Sequence, residues 1–167
     1  MAGGSTRAID ELVRAGVRHT LHEYAAHPAT GLERGRAPAW GEEAAAALGV
    51  DPGRIHKTLV ASVDGRLAVA VVPVAAELDL RRLAEVLGGR KATMADPADA
   101  ERATGYVRGG ISPLAQRQRL PTVVDETALG LTTILVSGGR RGLQVELAPA
   151  DLVRLASAVV APIARRG

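Results

Sequence analysis

Two apolar runs, residues 55–63 and 66–74, are separated by nothing but Asp64-Gly65. That dipeptide suits the two left-handed positions of a tight turn, so the runs are expected to fold back as adjacent antiparallel strands. The remaining elements are expected to build around this hairpin. Residues 6–15 read as a helix with Ile9, Leu12 and Val13 on one face, stopped by Gly16. Residues 17–24 alternate like a strand with Val17 and Leu21 inward, and residues 25–39, with two prolines and two glycines, read as a loop.

An alanine-rich helix follows over 40–48, closed by Gly49, and a second amphipathic helix over 79–87 ends at Gly88-Gly89. Asp96-Pro97 opens a short helix, with Asp as cap and Pro at the first helical position. Strands are expected near 121–124, 132–136 and 143–147, and a closing helix over 149–158. Strand pairs outnumber βαβ units. The predicted class is therefore α/β of the α+β kind: a mixed, largely antiparallel sheet or partly closed barrel with flanking helices, in one domain of 167 residues.

Composition narrows the chemistry. Aromatic residues are 2% of the chain and Phe is absent, so Val, Leu, Ile and Ala must fill the core. With no cysteine there is no disulfide, no thiol nucleophile and no thiolate metal site. No run approaches about 18 apolar residues and the N-terminus lacks a signal peptide's apolar centre, so a cytoplasmic protein without membrane contact is the simplest reading. The net charge of +3 is spread along the chain. Its local concentrations, Arg117/Arg119, Arg140-Arg141 and Arg165-Arg166, fit phosphate contacts and solvated surface charge equally. More telling, 19 of the 21 basic residues are arginine. A lysine kept in such a chain marks a place for a compact ammonium of adjustable pKa, and Lys57 is one of the two.

Several motifs can be set aside. His22 and His27 are five apart; on a helix that is about 140° around the axis, too far to face one metal. Neither Gly109-Gly110 nor residues 137–142 match a phosphate or dinucleotide loop, and no serine sits in a Gly-x-Ser-x-Gly turn. No cofactor and no metal are expected. What remains is Lys57-Thr58 in a strand, the pairs Gly109-Gly110 and Gly138-Gly139, and the adjacent Ser112 and Ser137. Glycine pairs allow backbone to approach a ligand and aim N–H groups at it, although tight turns need glycine too. These parts suit a small pocket for a carbonyl or an amino acid, with no strong nucleophile of its own.

The segments HKTLV (56–60), VAVVPV (69–74), the run from 94 to 126 containing ATGYVRGGISPL, and ILVSGGRRGLQVEL (134–147) resemble the YbaK/EbsC family of aminoacyl-tRNA deacylases. That family is related to the editing domain of bacterial prolyl-tRNA synthetases, and the resemblance runs from about Thr20 to residue 166. Its members most similar to this chain look like Cys-tRNA(Pro) deacylases. The resemblance implies an enzyme that binds the 3′ end of an aminoacylated tRNA, with prolyl-tRNA synthetase as a possible partner. It implies Lys57 as the essential lysine, Gly109 and Gly110 as pocket walls and amide donors, and Ser137 beside the amino acid. Thr58 and Ser112 are further candidates for substrate contact, and Tyr24 and Trp40 for an aromatic platform under the terminal adenine. Gln144 stands where the nearer family members carry Asp, replacing a charge with a neutral acceptor. For a cysteinyl ester the family implies attack by the substrate's own thiol; an alanyl ester needs water instead. A non-catalytic module binding tRNA ends or the synthetase stays open at this point.

Overall fold

The computed structural model describes residues 4–26 and 40–166. In chain order its first half contains α1 (Arg7–Arg14), β1 (His19–Glu23), α2 (Trp40–Leu48), β2 (His56–Val63), β3 (Arg66–Pro73), β4 (Glu77–Leu78) and α3 (Leu80–Val86). The second half adds β5 (Ala92–Met94), α4 (Pro97–Thr104), β6 (Thr122–Asp125), β7 (Ile134–Ser137), β8 (Leu143–Leu147), α5 (Pro149–Ala156), β9 (Val159–Ala161) and β10 (Ala164–Arg165). The expected loop over 25–39 lies, apart from its first two residues, outside the described residues, as does His27.

The hairpin forms as its sequence requires. Asp64 and Gly65 take φ values of 50° and 86°, and β2 pairs antiparallel with β3 from Val63–Arg66 to His56–Pro73. The Asp64 carboxylate then accepts from the Arg90 and Lys91 amides at 2.8 and 3.0 Å, bringing in the chain that becomes β5. The helix caps also follow from local chemistry. Asp79 accepts from the Arg82 amide and Asp96 from the Ala98 amide, each satisfying an N–H that the first helical turn leaves unpaired. Thr6 caps α1 by accepting from the Ile9 amide, and its hydroxyl donates to the Gly138 carbonyl, fastening α1 to the glycine turn between β7 and β8.

The strands form a five-stranded sheet in the order β5-β2-β3-β6-β9, a three-stranded sheet β1-β8-β7, and a small pair β10-β4. β3–β6 and β6–β9 are parallel and the other pairs antiparallel. The sheet is thus mixed and largely antiparallel, and it stays open where a partly closed barrel was the other expectation. A parallel bridge between Ile55 and Leu135 joins the two larger sheets, with the Leu135 amide donating to the Arg54 carbonyl at 3.0 Å.

β3 is buried from Ala68 to Pro73 because both of its faces are covered. Val69 and Val71 pack with Leu12, Tyr106, Ile134, Val136 and Val145 on one side. Ala68, Ala70 and Val72 pack with Leu83, Val123 and Ile163 on the other. A third cluster sets Ala44 and Ala45 of α2 against Ile55, Val74 and Leu135, which holds the start of that helix over the joint between the sheets.

Two inward assignments need correction. Leu21 is 44% exposed because none of the buried clusters packs over its face of β1, and the half-buried positions of that strand fall instead on His19 and His22. His22 meets Glu146 at 2.8 Å. Likewise α1 buries Ala8 and Leu12, one turn apart, and leaves Val13 in solvent.

Asp125 is a buried carboxylate at the end of β6, and it ties the C-terminal segment to the sheet. It accepts from the Ile163 and Ala164 amides, both at 2.9 Å, and from the amide and hydroxyl of Thr127. Burial raises its pKa, but these donors outweigh burial and hold it below its ordinary value. Asp125→Ala is expected to lower unfolding stability by roughly 2–4 kcal/mol in urea titrations, since buried donors lose their acceptor. Because the folded pKa is depressed, the ionised carboxylate contributes fully above the ordinary value of 3.8 and loses its contribution as the pH falls through the folded pKa. Asp125→Asn should therefore flatten the acid limb of the stability profile below about pH 4.

Candidate active site

The outer edge of β2 is only partly paired. β5 covers Ala61 to Val63, the Ala95 amide donates to the Val60 carbonyl at 3.0 Å, and β7 touches the strand at Ile55. In an antiparallel strand alternate residues turn their N–H and C=O to the same side, so Thr58 directs its backbone groups to the same edge as Val60, between the two pairings. A pocket of about 310 Å³ opens there, within the size range of small-molecule sites. It wraps around the strand edge, which is why both Lys57 and Thr58, on opposite faces of β2, line it.

Lys57 is half-buried and forms no ion pair among the described residues. Burial lowers its pKa, while the charges of Glu77 and Glu42 oppose that shift. Its ammonium is consequently a charge held near apolar walls without a fixed counter-ion.

The two glycine turns build the wall opposite β2, chiefly by touching each other. Gly109 lines the pocket at φ 85°, and a Cβ there would stand 2.8 Å from the Arg141 Cγ and 2.9 Å from the Trp40 Cε2. Gly110 lies outside the lining. A Cβ on it would meet the Arg140 Cα at 2.6 Å, and its N–H already donates to the Val107 carbonyl. Gly110 is thus a close-packing position, and its amide is engaged inside its own turn. Ser112 also sits behind the pocket, fully buried, accepting from the Leu114 amide at 3.2 Å. It hydrogen-bonds Tyr106, whose hydroxyl donates to the Leu114 carbonyl at 2.5 Å and whose pKa burial pushes up to about 12. Tyr106 is the post on which both turns rest, because a Cβ on Gly139 would stand 3.0 Å from its ring.

On the other side of the pocket, β7 and β8 place Ser137 directly opposite Gln144, and both line it. Ser137 Oγ accepts from the Gly139 amide at 3.2 Å. Gln144 is 7% exposed, and its Oε1 is buried without a partner among the described residues. Tyr24 does not line the pocket. Its amide donates to the Gly142 carbonyl at 2.9 Å, and its hydroxyl meets the Gln144 side chain. Burial raises the pKa of that hydroxyl, so Tyr24 stays protonated and steadies Gln144 from behind. Trp40 lines the pocket with the Arg141 guanidinium 5.8 Å from its ring centroid, and Arg141 in turn meets Glu43 at 3.3 Å.

His56 is not among the site residues that the sequence motifs point to, yet it is part of this pocket. It is 2% exposed, lines the pocket, and places Nδ1 3.2 Å from the Arg54 carbonyl. A carbonyl only accepts, so Nδ1 carries the proton and Nε2 is a bare acceptor. Nε2 is buried with no partner among the described residues, as is Thr58 Oγ1 two positions along the strand. Burial lowers the His56 pKa, with the Arg54 carbonyl and Asp125 opposing, so the ring is neutral at pH 7. The available signal was its position, one residue before Lys57 and on the face of Thr58. No group of three His, Asp or Glu side chains capable of holding a metal occurs among the described residues.

If Gly110 is a packing position, adding one methyl should separate the two turns. Gly110→Ala is expected to lose roughly 1–3 kcal/mol in thermal or urea unfolding. Gly130→Ala, where a Cβ would meet nothing within 4 Å, should stay near wild type and serves as the control.

Residues 36–155 match the family model described as an aminoacyl-tRNA editing domain. Over 124 residues the chain is 43% identical to EbsC of Enterococcus faecalis, named as a candidate Cys-tRNA(Pro)/Cys-tRNA(Cys) deacylase, covering 73% of this chain and 75% of that one. Over 109 residues it is 31% identical to an Escherichia coli K12 protein named multifunctional Ser/Thr-tRNA deacylase ProXp-y, covering 62% of this chain and 65% of that one. Among solved structures, a candidate trans-editing enzyme for prolyl-tRNA synthetase superposes with a TM-score of 0.78 at 25% identity, covering 99% of both chains.

Proposed function

Since the chain belongs to the aminoacyl-tRNA editing domain family, we propose that it is a free-standing deacylase of mischarged tRNA, and that the amino acid it removes is cysteine carried by tRNA(Pro). The observation that carries this reading is Lys57: a half-buried ammonium without an ion pair among the described residues, on the wall of a pocket sized for an amino acid. An aminoacyl ester is already activated, so positioning and charge stabilisation suffice to cleave it. Editing of this kind is needed because an apolar synthetic pocket rejects amino acids of similar or smaller size only weakly.

In this reading the ester carbonyl lies against Lys57, whose ammonium stabilises the oxyanion together with the Gly109 amide. Gln144, its side chain steadied by Tyr24 and its Oε1 without a partner among the described residues, accepts a hydrogen bond from the substrate ammonium, and Ser137 flanks the amino acid. Trp40 carries the terminal adenosine on the side left open by Arg141, and the exposed Arg108 at the rim meets backbone phosphate. The cysteinyl sulfur attacks its own carbonyl carbon. A carbon–sulfur bond forms, the ester carbon–oxygen bond breaks, and the thiol proton passes to the departing ribose oxygen. The protein needs no cysteine of its own for this route. Prolyl-tRNA synthetase is the partner whose errors such an enzyme clears.

Single-turnover deacylation of Cys-tRNA(Pro) by wild type and Lys57→Ala tests the assignment. The substitution is expected to slow release at least about 100-fold, the scale for removing one oxyanion donor. A Lys57→Ala enzyme with the wild-type rate would overturn the role given to Lys57, and a wild type that leaves the ester intact would overturn the activity.

A further inference from the structure

His56 and Thr58 occupy alternate positions of β2, so their side chains leave the strand on the same face, and both line the pocket. Each presents a buried polar atom with no protein partner among the described residues, Nε2 of His56 and Oγ1 of Thr58. Buried polar atoms left unsatisfied are costly and rare in native proteins, and two neighbours on the wall of one pocket point to a bound polar molecule that completes both. The Arg54 carbonyl fixes the complementarity. It engages Nδ1, so Nε2 can only accept, while a hydroxyl both donates and accepts. A water molecule matches the pair: it donates one hydrogen to Nε2 and shares a second hydrogen bond with Thr58.

We propose that His56 and Thr58 hold and activate a water, giving this chain a hydrolytic route for aminoacyl esters that bring no thiol, such as alanyl esters. The proposal rests on the editing reading above and adds a second nucleophile to it. The water oxygen bonds to the ester carbonyl carbon as its proton passes to His56 Nε2. The tetrahedral centre then collapses, the carbon–oxygen bond to the ribose breaks, and the proton on His56 moves to the departing ribose oxygen. Free amino acid and intact tRNA result, His56 returns to its neutral form, and water is the only co-reactant. Lys57 stabilises the oxyanion on this route as on the thiol route.

Neutrality of the ring is what lets it take a proton. Burial favours the neutral form, and the charge of Asp125 on the neighbouring β6, whose own oxygens are engaged by Ile163, Ala164 and Thr127, acts in the opposite sense. On β2 itself the adjacent charge is Lys57, and Arg54 contacts the ring through its carbonyl.

Single-turnover release from Ala-tRNA(Pro) and Cys-tRNA(Pro) should be measured side by side for wild type, His56→Asn, Thr58→Val and Lys57→Ala, with thermal midpoints to confirm folding. Wild type is expected to release alanine, with a rate that falls as the pH drops below the ordinary imidazole value of 6.5. In His56→Asn the alanyl rate should fall about 100-fold further than the cysteinyl rate, the usual scale for a lost general base, and the acid limb should vanish. Thr58→Val, close in size but without the hydroxyl, should shift the ratio in the same direction. Loss of cysteine but not alanine by wild type would remove the water route and leave the editing reading standing. An equal fall on both esters in His56→Asn would make His56 a structural support and overturn the proposal. Failure of wild type on both esters would sink both readings together.

Discussion

The candidate site depends on one short stretch of backbone that is unpaired among the described residues, the edge of β2 around Thr58. An exposed strand edge invites pairing with other chains, and proteins cover such edges or interrupt them. Here the strand is claimed from both ends, by β7 at Ile55 and by β5 from Ala61 onward, and the remaining gap is roofed by α2 and the two glycine turns. The roof cannot pair with the strand, because a helix and turns offer no matching ladder. A pocket is the consequence. Its walls are the strand edge, a helix start and two turns, each anchored to a different part of the core.

That anchoring gives the glycine-rich stretches their meaning. A double glycine beside a Ser-Pro suggests backbone gripping a ligand, and Gly109 has that location. Gly110 instead packs against the Arg140 backbone, Gly139 against the Thr6 and Tyr106 side chains, and Ser112 accepts from the Leu114 amide, so the wall is set by close contacts between the two turns. Where Gly110 meets the Arg140 backbone, no rotamer change can relieve the contact. Protein interiors of this density transmit a displacement as a shift of the whole turn.

Much of this architecture could be read from local chemistry. Asp64-Gly65 specified the hairpin, Asp79 and Asp96 the starts of α3 and α4, and Gly49 the end of α2, because each acts within a few residues of itself. The residues that escaped do so through long-range contacts. β4, β5, β9 and β10 are two or three residues each, too short for any periodicity, and exist because a neighbouring strand offers an edge. Leu21 and Val13 looked inward by spacing, yet the faces they occupy have nothing packed over them. For the site, Lys57 was legible through its rarity among arginines, and Trp40, Gly109, Ser137 and Gln144 do line one pocket. Tyr24 acts one step back, through Gln144. His56 was invisible because a histidine in a strand carries no message until its ring is seen buried with one nitrogen engaged and the other bare.

The electrostatics of the pocket suit a lysine on its wall. The buried polar atoms on its walls, Gln144 Oε1, Thr58 Oγ1 and His56 Nε2, are all neutral, and the carboxylate that lines it, Glu42, is exposed at the rim. A buried carboxylate would lock Lys57 into an ion pair and cancel the positive potential an oxyanion needs. Neutral acceptors leave Lys57 uncompeted for, and in the proposed reading they still receive the substrate ammonium. Asp at position 144 would bring a full charge into that arrangement, whereas Gln keeps hydrogen-bonding capacity and removes the charge. An arginine at position 57 would spread its charge over a planar fork, while the ammonium concentrates it at one atom. The exception to the arginine bias of this chain therefore falls at a point charge that is partly desolvated and has no counter-ion among the described residues, the arrangement that the proposed oxyanion role calls for.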